Sequence, residues 1–143
     1  MSVPDISVEV AKKVKAIGVE MRSRAVRGSR ALKKAELQVL RGQRGGRRYK
    51  KAHKKTHYTA SAPGEPPAVR SGKLCSSFRP SAKTYGNPFG GAASVYVSIE
   101  TDTRYAGFLQ DGTSKMAARP YVEKIKQEAL PEVTRIFSEP YNV

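Results

Sequence analysis

The chain has 143 residues, with 27 Lys and Arg against 12 Asp and Glu, a formal net charge of +15 at neutral pH. That length fits one domain, and an apolar share of 38% without Trp allows only a modest core. No apolar run approaches the ~18 residues of a membrane span, the first six residues lack the pattern of a secretory signal, and a lone cysteine, Cys75, excludes an internal disulfide framework. A reducing cytoplasm is the expected place of synthesis.

Residues 5–40 read as one long helix. Val10, Val14, Ile17, Met21, Ala25, Leu32, Ala35 and Val39 recur at helical spacing and form one stripe. Ser2, Pro4 and Asp5 resemble a capping start. Lys12, Lys13, Arg22, Arg24, Arg27, Arg30, Lys33 and Lys34 occupy the other faces. Gly28 interrupts the stripe at a cost of about 1 kcal/mol relative to Ala, which points to a kink or close packing. So basic a helix needs a partner along its stripe, either the rest of the domain or a neighbouring copy.

Gly42, Gly45 and Gly46 break the helix. Residues 41–58 carry eight cations, Arg41, Arg44, Arg47, Arg48, Lys50, Lys51, Lys54 and Lys55, and no acid. Just over half of the net charge therefore sits on eighteen residues, whereas residues 91–143 are nearly neutral. Without apolar periodicity this segment is expected to be a flexible basic loop, an arm aimed at something anionic. Tyr49 and Tyr58 could stack on bases or simply pack. Charge gives the sign of a partner and not its identity, so nucleic acid and an acidic protein both remain open, and no sequence-specific DNA-binding motif accompanies the run. Three prolines make the segment from Ser61 to Pro67 an extended connector.

The second half is mixed. A short helical turn is expected between Arg70 and Phe78. Strands are expected at about 78–84 and 92–101, joined through the Gly- and Pro-rich stretch Gly86 to Gly91. Val95, Val97 and Ile99 alternate with Ser94, Tyr96 and Ser98, giving one buried face. A short apolar segment, Tyr105 to Gln110, ends at Asp111-Gly112. Pro120 opens a last helix to about Phe137, with Val122, Ile125, Ala129, Val133 and Ile136 on one side and Pro131 as a kink inside it. This order of elements predicts an α+β domain: a long N-terminal helix, a basic loop, a small antiparallel sheet and a C-terminal helix.

Nothing in the sequence specifies an enzyme, a metal or a cofactor. His53 and His57 stand i, i+4, but zinc wants further ligands, and the one thiol lies beyond the connector. Two solvated histidines are the better reading. Cys75 has no base placed beside it and reads as a small buried thiol. The acids of the C-terminal third sit beside cations and are expected on exposed faces, as solubilising charge and not as an acid/base pair.

Two stretches carry a resemblance. One is Ala62-Pro63-Gly64-Glu65-Pro66-Pro67-Ala68-Val69-Arg70-Ser71-Gly72-Lys73-Leu74. The other is Tyr105-Ala106-Gly107-Phe108-Leu109-Gln110-Asp111-Gly112-Thr113, continuing through Ala118-Arg119-Pro120-Tyr121. Together, in this order, they resemble the head–tail joining or tail-completion (neck) proteins of long-tailed double-stranded DNA bacteriophages. The likeness covers about residues 59–137, and the helix 5–40 only in kind. Gln110 stands where that family often has Glu, and the insert 41–58 is no part of its signature. The resemblance implies a structural protein of the virion, assembled in the host cytoplasm into a homo-oligomeric ring, expected to be a hexamer, around the DNA channel. Its partners would be adjoining connector and tail proteins, with duplex DNA in the channel.

A closing ring needs a heterologous interface. The stripe with Val14, Ile17, Met21 and Leu32 is the nominated surface. Tyr105, Phe108, Leu109, Arg119 and Tyr121 are expected to be core or subunit contacts. Arg119, a cation where the helix dipole disfavours one, is expected to have an acidic or carbonyl partner, within the chain or on a neighbouring subunit. The competing expectation is a stand-alone basic nucleic-acid-binding protein, which explains the charge and leaves the two stretches unexplained.

Overall fold

A computed structural model describes residues 6–51, 54–62, 64–69, 71–87 and 92–142. The capping residues Ser2, Pro4 and Asp5, as well as His53, Arg70 and the strand connection 88–91, lie outside the described residues.

The architecture is α+β. Helix α1 runs Ile6–Leu40, strands β1 Arg48–Lys50 and β2 His57–Thr59 form one antiparallel pair, and α2 is Lys73–Ser77. Strands β3 Arg79–Asn87 and β4 Ala92–Glu100 form a second antiparallel pair, followed by α3 Ala106–Asp111 and α4 Val122–Ser138. The β3–β4 register pairs Arg79 with Glu100 and Asn87 with Ala92. No described helix is long and apolar enough to cross a membrane.

The core gathers where α1, α2 and α4 meet. Ala35, Leu40, Cys75, Phe78, Tyr121, Ile125 and Ala129 are buried together, with Leu32, Val39, Leu74, Ile99, Leu109 and Val133 packed on them. The Phe78 and Tyr121 rings meet edge to face at 6.0 Å. The expected stripe therefore holds from Ala25 to Val39. Val14, Ile17 and Met21 are half-buried, and Val10 is exposed. Gly28 marks close packing: a Cβ there would lie 3.1 Å from the Phe137 ring and 3.2 Å from Val97.

Two arginines depart from their expected solvated faces. Arg24 is 1% exposed. Its guanidinium donates to the carbonyls of Glu139 and Pro140 and to Glu20, and Tyr141 lies under it with its ring centre 4.0 Å away. Arg27 forks onto both Glu139 oxygens at 2.8 and 2.9 Å. Arg24 thereby satisfies the carbonyl of the C-cap residue Glu139 and the next one, while Arg27 pairs with the Glu139 carboxylate, so the segment after α4 is tied to the middle of α1. Pro131 sits inside α4 without ending it.

Candidate functional site

The basic segment contains regular structure where a loop was expected. Tyr49 pairs with Tyr58 across β1 and β2, the rings stacked with centroids 5.9 Å apart. The ladder continues beyond the strands through Lys51 N–H to Thr56 O, Ala60 N–H to Arg47 O and Gly46 N–H to Ala60 O. At Gly46 a Cβ would fall 2.3 Å from the Ala60 oxygen, so the tight closure at the ribbon's base requires glycine. Alternation along the pleat sends Arg48 and Lys50 to the face shared with His57 and Thr59, and Arg47 and Lys51 to the tyrosine face.

Two side chains fix the base of this ribbon to the body. Glu65 accepts the Gly45 N–H with both oxygens and the Ala62 N–H at 2.8 Å. These backbone donors hold its carboxyl below the usual range. Arg44 donates to the Val39 and Leu40 carbonyls at the end of α1 and to the Pro66 and Pro67 carbonyls of the connector. Arg44 thus clamps the helix end to the connector, with its guanidinium engaged by the chain's own carbonyls, unlike the exposed cations of the arm. The carbonyls left open at a helix C-terminus are natural partners for such a cation.

The remaining arm cations are differently placed. Arg41, Arg47, Arg48, Lys50, Lys54 and Lys55 are exposed, and Lys51 is half-buried. The ion pairs among the described residues lie elsewhere, on α1, β3, β4 and α4 and in the residues that follow the last two. Arg47 reaches over the Tyr49 ring at 5.9 Å. Sequence reasoning missed a second basic patch: Arg30, Lys33, Lys34 and Arg41 line a recess on α1 with Leu37 and Gln38. Its signal was present as the spacing of 30, 34 and 41, which keeps those positions on one face.

His57 is exposed, and among the described residues no group of three or more His, Cys, Asp or Glu gathers as a metal site. Cys75 is buried, and burial raises its thiol pKa. Beside it Lys33 bridges the Cys75 carbonyl at 2.7 Å and the Glu36 carboxylate at 2.8 Å. Glu36 is fully buried, which pushes its carboxyl pKa up against the opposing pull of Lys33.

The two stretches that carry the resemblance pack against each other. Gly64 N–H donates to Ala118 O, and Lys124 Nζ donates to Gly64 O. Tyr121, 4% exposed, donates its hydroxyl to Ala106 O at 2.9 Å. Gln110 Oε1 accepts the Tyr121 and Val122 N–H groups, capping α4. The position needs an acceptor, which Gln and Glu both supply. Gly112 ends α3 at φ 79°, ψ 176°, a conformation reserved for glycine.

Leu109 and Tyr121 belong to the core, as expected. Tyr105 and Phe108 instead stay exposed, Phe108 at 60%, and line a cleft of about 810 Å³ between the ribbon, the connector and α3. Arg119 also lines it. Its backbone N–H donates to Leu109 O, but its Nη1 is buried with no hydrogen-bond partner. Within the described residues of the single chain Nη1 meets no acidic or carbonyl group. Comparison of the chain with protein-family models, curated proteins and solved structures gives no match.

Proposed function

We propose that this chain is a structural virion protein of a tailed bacteriophage, part of the neck or tail-completion assembly, acting as a homo-oligomeric ring around the DNA channel. One observation carries the reading. The Pro-rich connector and the segment 105–121, which carry the resemblance and are about 40 residues apart, form one hydrogen-bonded unit around Tyr121 and Gly64. Motifs that build a shared structural unit specify a fold and not a reaction centre. Surfaces left open on a single chain support an assembly role. Ile6, Val8 and Val10 are exposed on α1, Tyr105 and Phe108 on the cleft, and Leu130 on α4.

In this reading the ribbon turns toward the DNA channel, with Arg47, Arg48, Lys50, Lys51, Lys54 and Lys55 as its cations. Adjoining connector and tail proteins contact the remaining faces. The test is assembly: a phage lacking the protein should accumulate DNA-filled heads and free tails, restored to joined particles by the gene in trans. Normal particles without it would refute the proposal.

The second reading, a stand-alone nucleic-acid-binding protein, is favoured by the stacked Tyr49–Tyr58 pair beside Arg47, since aromatic and cationic groups together suit bases and phosphates. It requires tight DNA binding by the isolated chain, which a channel protein that lets DNA slide does not need.

A further inference from the structure

The cleft beside Arg119 is charged in one sense only. Among the described residues its wall is mainly apolar, with Leu40, Leu74, Leu109 and Met116 and the rings of Tyr105 and Phe108, broken by Ser61 and Ser71, and its basic members are Lys73 and Arg119. No carboxylate lines it among the described residues. Arg119 lines the cleft with no hydrogen-bond or ion-pair partner for its guanidinium among the described residues. Nη1 is closed off from water, which is costly. The remaining guanidinium nitrogens are the ones an entering anion would meet, in a wall that favours an anion bringing apolar surface with it. Arg119 donors are geometrically suited to a planar carboxylate.

The geometry points to a docking site for a peptide segment of a partner protein, one that places a carboxylate on Arg119 and an apolar or aromatic side chain against Phe108, Tyr105 and Met116. The dominance of aliphatic wall residues favours a peptide over a nucleotide. The inference does not depend on the neck reading, because it rests on the unpaired Arg119 guanidinium and the composition of the wall. It also gives Arg119 a distinctive signature. A residue kept for the fold alone would be stabilising, whereas a cation waiting for its partner weakens the isolated chain and strengthens the complex.

The experiment uses the full chain and two small probes, acetyl-Phe-Leu with a free carboxylate and the same peptide as its amide. Binding is read from the methyl resonance of Met116, with Met21, which does not line the cleft, as the internal reference. The acid should shift Met116 saturably and bind at least about tenfold more tightly than the amide, the worth of one charge-assisted hydrogen bond. Arg119→Met should abolish that preference while leaving the melting temperature equal or higher. Phe108→Ala, an exposed site, should weaken both peptides alike and keep the preference, which preserves the test if Arg119→Met fails to fold. Equal binding of acid and amide, no shift with either, or a preference that survives Arg119→Met would overturn the proposal. Stronger displacement by thymidine monophosphate than by the acid would overturn it in favour of a nucleotide. Self-association lost in Arg119→Met with no acid preference would overturn it in favour of a second copy.

Discussion

Gln110 and Tyr121, eleven residues apart, are joined by one hydrogen bond that starts the last helix: Gln110 Oε1 accepts the Tyr121 N–H at 2.9 Å and the next N–H, of Val122, at 3.1 Å. No side chain from its own N-cap residue does this for α4. Gln110→Ala should therefore cost about 1 kcal/mol, the usual worth of an N-cap. Gln110→Glu keeps the acceptor, adds a negative charge at a helix start and should be neutral or stabilising at pH 7. Urea denaturation of the three proteins checks both.

Gly112 sets the chain's exit from α3 toward that cap. A Cβ there would meet the Ala118 backbone nitrogen at 2.9 Å, in addition to the backbone strain. Gly112→Ala should destabilise by about 1–3 kcal/mol, and a loss below 0.5 kcal/mol would contradict the geometry. Gly28→Val should likewise cost about 1–3 kcal/mol by overpacking against Phe137 and Val97, although Val is the better helix residue.

Two glutamates should titrate against stability in opposite directions. Bonding to Arg27 holds the Glu139 carboxyl below its ordinary range, so its contribution is present above the ordinary carboxylate pKa and lost as pH falls through the lowered one. Burial raises Glu36 above that range despite Lys33 and Arg41. Its carboxyl holds a proton more tightly when folded, so stability is greatest below the ordinary pKa and declines as pH rises through the raised one. Glu139→Gln should flatten the acid limb of the stability–pH profile, and Glu36→Gln should remove the opposing decline. Parallel shifts of both variants at every pH would refute the assignment.

Much of this fold was legible because its signals are local. The stripe from Ala25 to Val39, the alternation of Val95, Val97 and Ile99, and the apolar side of α4 each follow from spacing within one element. The ribbon was not legible in that way. Its pairing depends on Tyr49 meeting Tyr58 across a turn full of lysines, and its base on Glu65 of the connector accepting from Gly45 and on Arg44 donating to the connector's Pro66. Arg24 was misplaced for the same reason: its acceptors at Glu139 and Pro140 lie 115 and 116 residues away. For Arg119 the dipole argument called for a partner, and only the packed structure could show that Nη1 is buried without one.

The ribbon separates the two functional readings quantitatively. Removing Arg44 from the arm and leaving Arg41 on the end of α1 leaves Arg47, Arg48, Lys50, Lys51, Lys54 and Lys55 to meet phosphates. With all six engaged, the log–log dependence of duplex affinity on salt should have a slope of about −5, from roughly −0.9 per phosphate. Neutralising Arg47, Arg48, Lys50 and Lys51 to Gln should reduce it to about −2. Fold stability should hardly change, because none of the four side chains forms an ion pair among the described residues, while Arg44→Gln should destabilise by about 2 kcal/mol through the carbonyls it leaves open. A ribbon that faces DNA in a channel should bind duplex without sequence preference and only weakly at physiological salt. If the four-residue variant keeps its DNA affinity and salt slope yet yields heads and tails that do not join, the ribbon's partner is an acidic protein surface. Loss of a tight, salt-steep DNA affinity, with normal joining in the phage, would favour the stand-alone reading over the neck.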